Sequence, residues 1–130
     1  MIEVLKKKSI KKARKKHNCS YCSGPINIGD SYEFIRAKYG MEYYEVKAHT
    51  YCNTVTQELI SSGYFVDDGI GMTTFDYKRC VIELHKEFIN HKYTFPIQTM
   101  SMDLGQIFEN CKLITYNPDG YIEKWILKDR

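Results

Sequence analysis

Two cysteines three positions apart, Cys19 and Cys22, are followed by a histidine and a cysteine at the same spacing, His49 and Cys52. Three thiolates and one imidazole make a closed tetrahedral donor set that suits a structural Zn²⁺ ion, with each pair gripping the metal from one side. The competing reading of the same residues is a core histidine and buried thiols whose spacing is coincidental. Four protein ligands fill a tetrahedral ion and leave no position open for an activated water, so such a site points to folding rather than catalysis.

Elements of definite kinds must bring these donors together. Two thiolates three apart share a metal only if the backbone doubles back, and Gly24 and Pro25 follow the second thiol to supply permissive and fixed φ. The stretch Asn27-Ile28-Gly29-Asp30 is a second turn signal. Two β-rich runs come next, at 32–36 and 43–47, joined through Ala37 to Glu42 with Gly40 inside, which predicts an antiparallel hairpin. His49 and Cys52 then open a helix whose face carries Cys52, Val55 and Leu59, with Gly63 as its stop. Donors three apart at a helix N-terminus point to one side, and the positive end of the helix dipole favours thiolate there.

The order of knuckle, hairpin and helix resembles the treble-clef zinc fingers. The ligand pattern is similar to the first half of LIM domains and, more loosely, to the finger of the poly(ADP-ribose) polymerase type. It also resembles small zinc-finger proteins of bacteriophage genomes, in which a Lys-rich lead-in precedes the knuckle. The resemblance spans about residues 11–62 and implies a bound zinc, a phage origin and work in a host cytoplasm. The polymerase-type finger carries basic and aromatic residues on its own body, whereas residues 17–52 here hold Arg36, Lys38 and Lys47 against Asp30, Glu33, Glu42 and Glu45. Treble clefs also include the HNH nucleases, which need a general-base histidine on the hairpin and further ligands for a catalytic cation. The hairpin here has no histidine before His49, so the expectation is a non-enzymatic protein.

The net charge of +3 conceals an asymmetry. Lys6, Lys7, Lys8, Lys11, Lys12, Arg14, Lys15 and Lys16 form a basic arm without an acid, which leaves 11 basic against 16 acidic residues elsewhere, a balance of −5. Ile10, Ala13 and His17 fall on one helical stripe, so a short helix is one reading of the arm, weakened by its like charges. A solvated lead-in is the other. Chemically the arm suits phosphate, because Lys and Arg displace condensed counterions, although it holds no aromatic residue for base stacking. The tyrosines of the hairpin carry two readings as well. Tyr39, Tyr43 and Tyr44 would form a binding surface, or Tyr32, Tyr43 and Tyr51 would shield the metal and fill a small core.

Beyond the finger, residues 61–74 read as a connection in which Asp67 and Asp68 are solvated carboxylates. A helix is expected from an N-cap at Thr73 or Thr74 to about His91, with Tyr77, Cys80, Val81, Leu84 and Phe88 on its apolar stripe. Cys80 and His85 lie about 140° apart around that helix, so they do not build a second metal site with His91 and Cys111. A short helix capped by Ser101 follows Pro96. Strands at 111–116 and 121–127 then flank the turn Asn117-Pro118-Asp119-Gly120, with Leu113, Thr115, Ile122 and Trp125 facing the core.

These readings combine into an α+β fold: a basic arm at 1–16, a treble-clef zinc module at 17–62 and a helix-plus-hairpin extension at 63–130. No apolar run approaches the ~18 residues of a membrane span, and the N-terminal residues lack the apolar core of a secretory signal. Five cysteines are more economically used as ligands and core than as disulfides, which fits a reducing cytoplasm. The functional expectation is a zinc-binding protein that contacts nucleic acid or a nucleoprotein through its basic arm. The alternative is an inhibitor directed at a host nucleic-acid enzyme, of the anti-CRISPR kind, whose acidic body would suit a basic groove.

Overall fold

The hairpin expected around Gly40 forms, and it is longer than the sequence suggests. In the computed structural model, which describes residues 2–66, 71–93, 95–118, 120 and 123–130, strand β4 spans Tyr32–Tyr39 and β5 spans Glu42–His49. Tyr39 pairs with Glu42, so the connection shrinks to Gly40 and Met41. Gly40 takes φ 61°, the positive value that a two-residue hairpin turn asks of its first central residue.

The basic arm departs most from expectation. Residues Ile2–Ile10 form strand β1, which pairs antiparallel with β4 and completes a sheet of order β1-β4-β5. The helix suggested by Ile10, Ala13 and His17 does not form. A run of like charges gains nothing from helical stacking, whereas an extended run beside β4 satisfies its backbone and spreads its lysines to both faces. A bulge at Leu5 shifts the register between Val4 and Lys6. After β1 the chain is pinned again at Ala13, which is buried: its N–H donates to the Asp30 carbonyl at 2.8 Å, and its own carbonyl accepts from the Gly29 N–H at 2.9 Å.

Short strands β2 (His17–Asn18) and β3 (Pro25–Ile26) pair to close the knuckle, and helix α1 (Thr50–Ser61) leaves directly from β5. Cys52, Val55 and Leu59 are fully buried along one face of α1, as the spacing predicts. Helix α2 (Thr74–Phe88) starts at a capping box in which Thr73 and Asp76 satisfy each other's backbone N–H. It ends three residues earlier than expected, and His91 instead folds back so that its Nδ1–H donates to the Lys86 carbonyl at 2.8 Å.

Helix α3 (Ile97–Asn110) is longer than the sequence suggests, because it starts at Pro96 rather than at Ser101. Pro96 has φ −53°, preset for a helical start. Ser101 lies inside the helix and is fully buried, and its hydroxyl accepts from Tyr77 at 2.7 Å. Strands β6 (Cys111–Tyr116) and β7 (Lys124–Asp129) form the last hairpin, with β7 shifted towards higher numbers than expected. Leu113 is buried and Trp125 packs edge-on against Tyr64, whereas Thr115 is exposed because its end of the hairpin runs beyond the core. Asp67, Asp68, Asp119, Tyr121 and Ile122 lie outside the described residues. No helix among those described is long and apolar enough to cross a membrane.

The result is a small mixed α/β protein with three helices and antiparallel sheets among the described residues. One continuous core joins the knuckle, α1, α2, α3 and β6 through Ile26, Val55, Tyr77, Leu104, Phe108 and Leu113. Helices α1 and α3 lie close together at Gly105, where an added Cβ would lie 2.8 Å from the Tyr51 Cβ and 3.2 Å from its carbonyl oxygen. Both obstacles belong to rigid parts of α1, so a methyl group there must separate the helices. Gly105→Ala is expected to lower stability by about 1–3 kcal/mol, read as an earlier midpoint in urea unfolding; an unchanged midpoint would show that the helix contact gives way freely.

Candidate metal centre

Four ligating atoms converge in the core: the Sγ atoms of Cys19, Cys22 and Cys52 and the imidazole of His49 all lie within 4.8 Å of one another. The four side chains are buried. His49 Nδ1 is 3.4 Å from the Cys22 Sγ and 3.8 Å from the Cys52 Sγ. Among the described residues no other group of His, Cys, Asp and Glu could hold a metal ion, and Cys80, His85, His91 and Cys111 do not assemble.

Each donor is delivered by local backbone chemistry. Between the first two thiols the chain turns through Ser23, whose N–H donates to the Cys19 carbonyl at 3.0 Å, and the Cys19 N–H closes the loop on the Gly24 carbonyl at 2.8 Å. The residue with positive φ here is Ser23, at 63°, and not Gly24. At Gly24 a Cβ would meet the end of the Gln98 side chain, which would have to swing aside, and would come 3.3 Å from the Cys22 Sγ. The Gly24 N–H points at that sulfur from 3.3 Å and stabilises a thiolate.

His49 is oriented by its other ring nitrogen. Nε2 lies 2.8 Å from the Pro25 carbonyl, and a carbonyl only accepts, so Nε2 carries the hydrogen. Nδ1 therefore faces the sulfurs, and once a cation displaces its proton its lone pair is aimed as a metal ligand requires. The ring is also stacked on Tyr51, with centroids 4.6 Å apart and planes 10° from parallel. His49 occupies the N-cap position of α1 yet makes no capping bond. Its side chain is committed to the cluster instead, and Cys52 follows in the first turn, at the positive end of the helix.

Electrostatically the cluster behaves as a receptacle for positive charge. Hydrogen bonds from Cys22 and Cys52 pull the Cys19 thiol far below the usual thiol range. Burial pushes Cys52 up, so the thiols share charge unequally. Burial also opposes an imidazolium at His49, but the Cys19 and Cys22 sulfurs outweigh it and raise the group to about 10. A buried set that draws a proton onto its histidine is one that a cation would satisfy.

The C-terminal helices reach into the surroundings of this cluster, which sequence reasoning did not anticipate. Tyr77 of α2 is fully buried against Tyr21, with ring centroids 5.2 Å apart. Burial raises its phenol, and the neighbouring Cys52 raises it further. Thr74 donates to the Ser20 carbonyl at 2.6 Å, and Gln98 of α3 donates to the Tyr51 hydroxyl at 2.9 Å. The i, i+4 and i, i+7 stripe of α2 signals burial of Tyr77, but nothing in that spacing identifies the thiol beside it.

The basic residues gather elsewhere. Lys6, Lys7 and Lys8 lie on β1, while Lys11, Lys12, Arg14, Lys15 and Lys16 lie on the segment pinned by Ala13. All eight are exposed. Lys8, Lys11, Lys12, Arg14 and Lys15 line an open groove of about 530 Å³, with His17 and Tyr32 at its side and their rings 5.4 Å apart. The hairpin tyrosines divide between the two readings. Tyr32 is buried and Tyr51 shields His49, whereas Tyr39 is 42% and Tyr43 66% exposed.

No known protein family, curated protein or solved structure matches this chain.

The donor geometry predicts one tightly held metal ion per chain by elemental analysis of the purified protein. Cys22→Ser or His49→Ala should remove it and broaden the unfolding transition. Protons compete for all four donors, so retention should fall as pH is lowered. Folded protein with no stoichiometric metal would contradict the assignment.

Proposed function

We propose that the protein is a non-enzymatic zinc-binding protein of the treble-clef kind, which contacts nucleic acid through its basic segment. Zinc is the metal favoured by three thiolates and one imidazole, a soft and closed donor set with no vacancy for water. The order of knuckle, β4–β5 hairpin and α1, with one pair of donors from each end, supports the treble-clef reading. The finer reading, a phage-encoded protein working in a host cytoplasm, rests on the resemblance of residues 11–62.

The observation that carries the nucleic-acid reading is the basic groove. Its cations are held on the body at two points, by the pairing of β1 with β4 and by the paired hydrogen bonds of Ala13. A flexible lysine tail loses conformational freedom each time it binds, whereas this one is already ordered. Generic affinity for phosphate with a strong salt dependence follows from such a surface.

Binding of labelled DNA or RNA should weaken as salt rises. Replacing Lys11, Lys12, Lys15 and Lys16 by Gln should flatten the log–log salt dependence by roughly 0.7–0.9 for each phosphate left without its cation. A variant that binds as well as the original would refute the role of the segment. Removing zinc with a chelator should unfold the knuckle and abolish binding, since metal ligation contributes on the order of 10 kcal/mol in small zinc modules.

The competing reading, an inhibitor of a host nucleic-acid enzyme, is favoured by one observation. Val4, Leu5, Tyr39 and Met41 are all exposed towards the Gly40 end of the sheet, with Met41 91% exposed. A partner protein recovered in stoichiometric amount after nuclease treatment would establish it in place of the nucleic-acid reading.

A further inference from the structure

Strand pairing sorts the charges of the sheet in a way the linear sequence conceals. Side chains that pair across antiparallel strands share a face. On one face the rows are Lys8, Phe34 and Lys47; then Lys6, Arg36 and Glu45; then Glu3, Lys38 and Tyr43. Next to Lys8 the row Ile10, Tyr32 and His49 leads to the basic groove. The opposite face carries Lys7 with Glu33 and Glu42 and holds no comparable group of cations. Lys6 and Lys8 of β1 therefore join Arg36, Lys38 and Lys47 of the hairpin, although these two sets are far apart in the chain.

Aromatic rings are interleaved with these cations. The Arg36 guanidinium lies 5.9 Å from the Phe34 ring centroid, and the Lys38 ammonium lies 5.6 Å from that of Tyr43. Arg36 also pairs with Glu45 at 2.9 Å, which fixes it in place near Tyr43. A second hollow, of about 870 Å³, opens here between Leu5, Lys6, Arg36 and Tyr43. The bulge at Leu5 contributes to its wall. From Lys38 to Tyr32 the strand covers about 20 Å at ~3.3 Å per residue, so the two hollows are the ends of one track.

The geometry points to single-stranded nucleic acid lying along this face. Its backbone would follow Lys38, Lys6, Lys8 and Lys47 into the groove at Lys11–Lys15, and an unpaired base would stack on Tyr43. This inference rests on the nucleic-acid reading above and deepens it. Cations alone would serve a duplex equally well; the discriminating feature is the exposed aromatic surface of Tyr43 beside them. Bases in a duplex keep their faces stacked on one another, whereas those of a single strand are free to meet a tyrosine. The charge and the ring together match one polyanion with accessible π-faces.

Fluorescence anisotropy tests this with the zinc-loaded full chain and a labelled oligonucleotide of mixed sequence, measured as a single strand and as its duplex. The single strand should bind more tightly. Tyr43→Ala should weaken it by roughly 5- to 100-fold, and Tyr43→Phe should restore most of the loss. Replacing Lys38 and Lys47 by Gln should lower the salt slope of both ligands. Tyr43 is exposed, so an unchanged metal content and unfolding midpoint will show that these variants fold. If Tyr43→Ala has no effect and the duplex binds equally well, the track is wrong. Loss on changing Lys11, Lys12, Lys15 and Lys16 alone would then leave the basic-segment reading standing. If neither ligand binds, both readings fail together.

Discussion

Three buried thiols and a histidine lie within 4.8 Å of one another in the core, and as thiolates they would need a cation to balance them. That requirement organises the protein. Taking thiolate charge out of water is costly, and only a closely held cation together with donated hydrogen bonds offsets it. The structure supplies the hydrogen bonds at Gly24 and sets the imidazole through Pro25, so the donors are aimed inward before a metal arrives. Pro25 itself belongs to the short β2–β3 ladder while its carbonyl faces His49, so the orientation of the imidazole and the closure of the knuckle depend on each other.

The rest of the fold is built outwards from that cluster. Tyr77 and Thr74 connect α2 to the knuckle, Gln98 ties α3 to Tyr51 of α1, and Gly105 lets α3 lie against Tyr51, the residue stacked on His49. A buried polar network links Tyr77 to Ser101, and Glu58 of α1 is held by Arg130 beside β7. Apart from the Tyr51–His49 stack, each of these contacts joins residues more than twenty positions apart. The extension and the knuckle therefore share one core, and the helices protect the metal cluster from water as the cluster protects their own packing.

How much of this is legible in the sequence follows from which physical signals are local. The four donors are readable because a pair of thiols three apart, followed by Gly and Pro, has few other uses. Helix α2 is readable because its apolar stripe and its capping residues agree. Strand β1 is not, since Lys6-Lys7-Lys8 hides the alternation of a strand; the pattern exists only against β4. Ser101 resembles an N-cap and turns out to be an interior partner for Tyr77, because a proline upstream had already started the helix. Gly24 resembles a residue of special φ, yet the neighbouring Ser23 carries that conformation and Gly24 lies beside the Gln98 side chain. In each case the missing information lies in the packing partner.

Strand β1 has a further effect, because among the described residues it lies at the border of its sheet, with β4 as its one partner strand. Such a border invites a strand from another molecule, and lysines are a common deterrent. Lys6, Lys7 and Lys8 place three like charges along this border, and two copies meeting there would repel. That repulsion is screened beyond about 10 Å at 0.1 M ionic strength. Concentrated salt would therefore weaken that guard along the edge of the sheet. Resistance to edge-to-edge association would thus depend on three ammonium groups and on the salt around them.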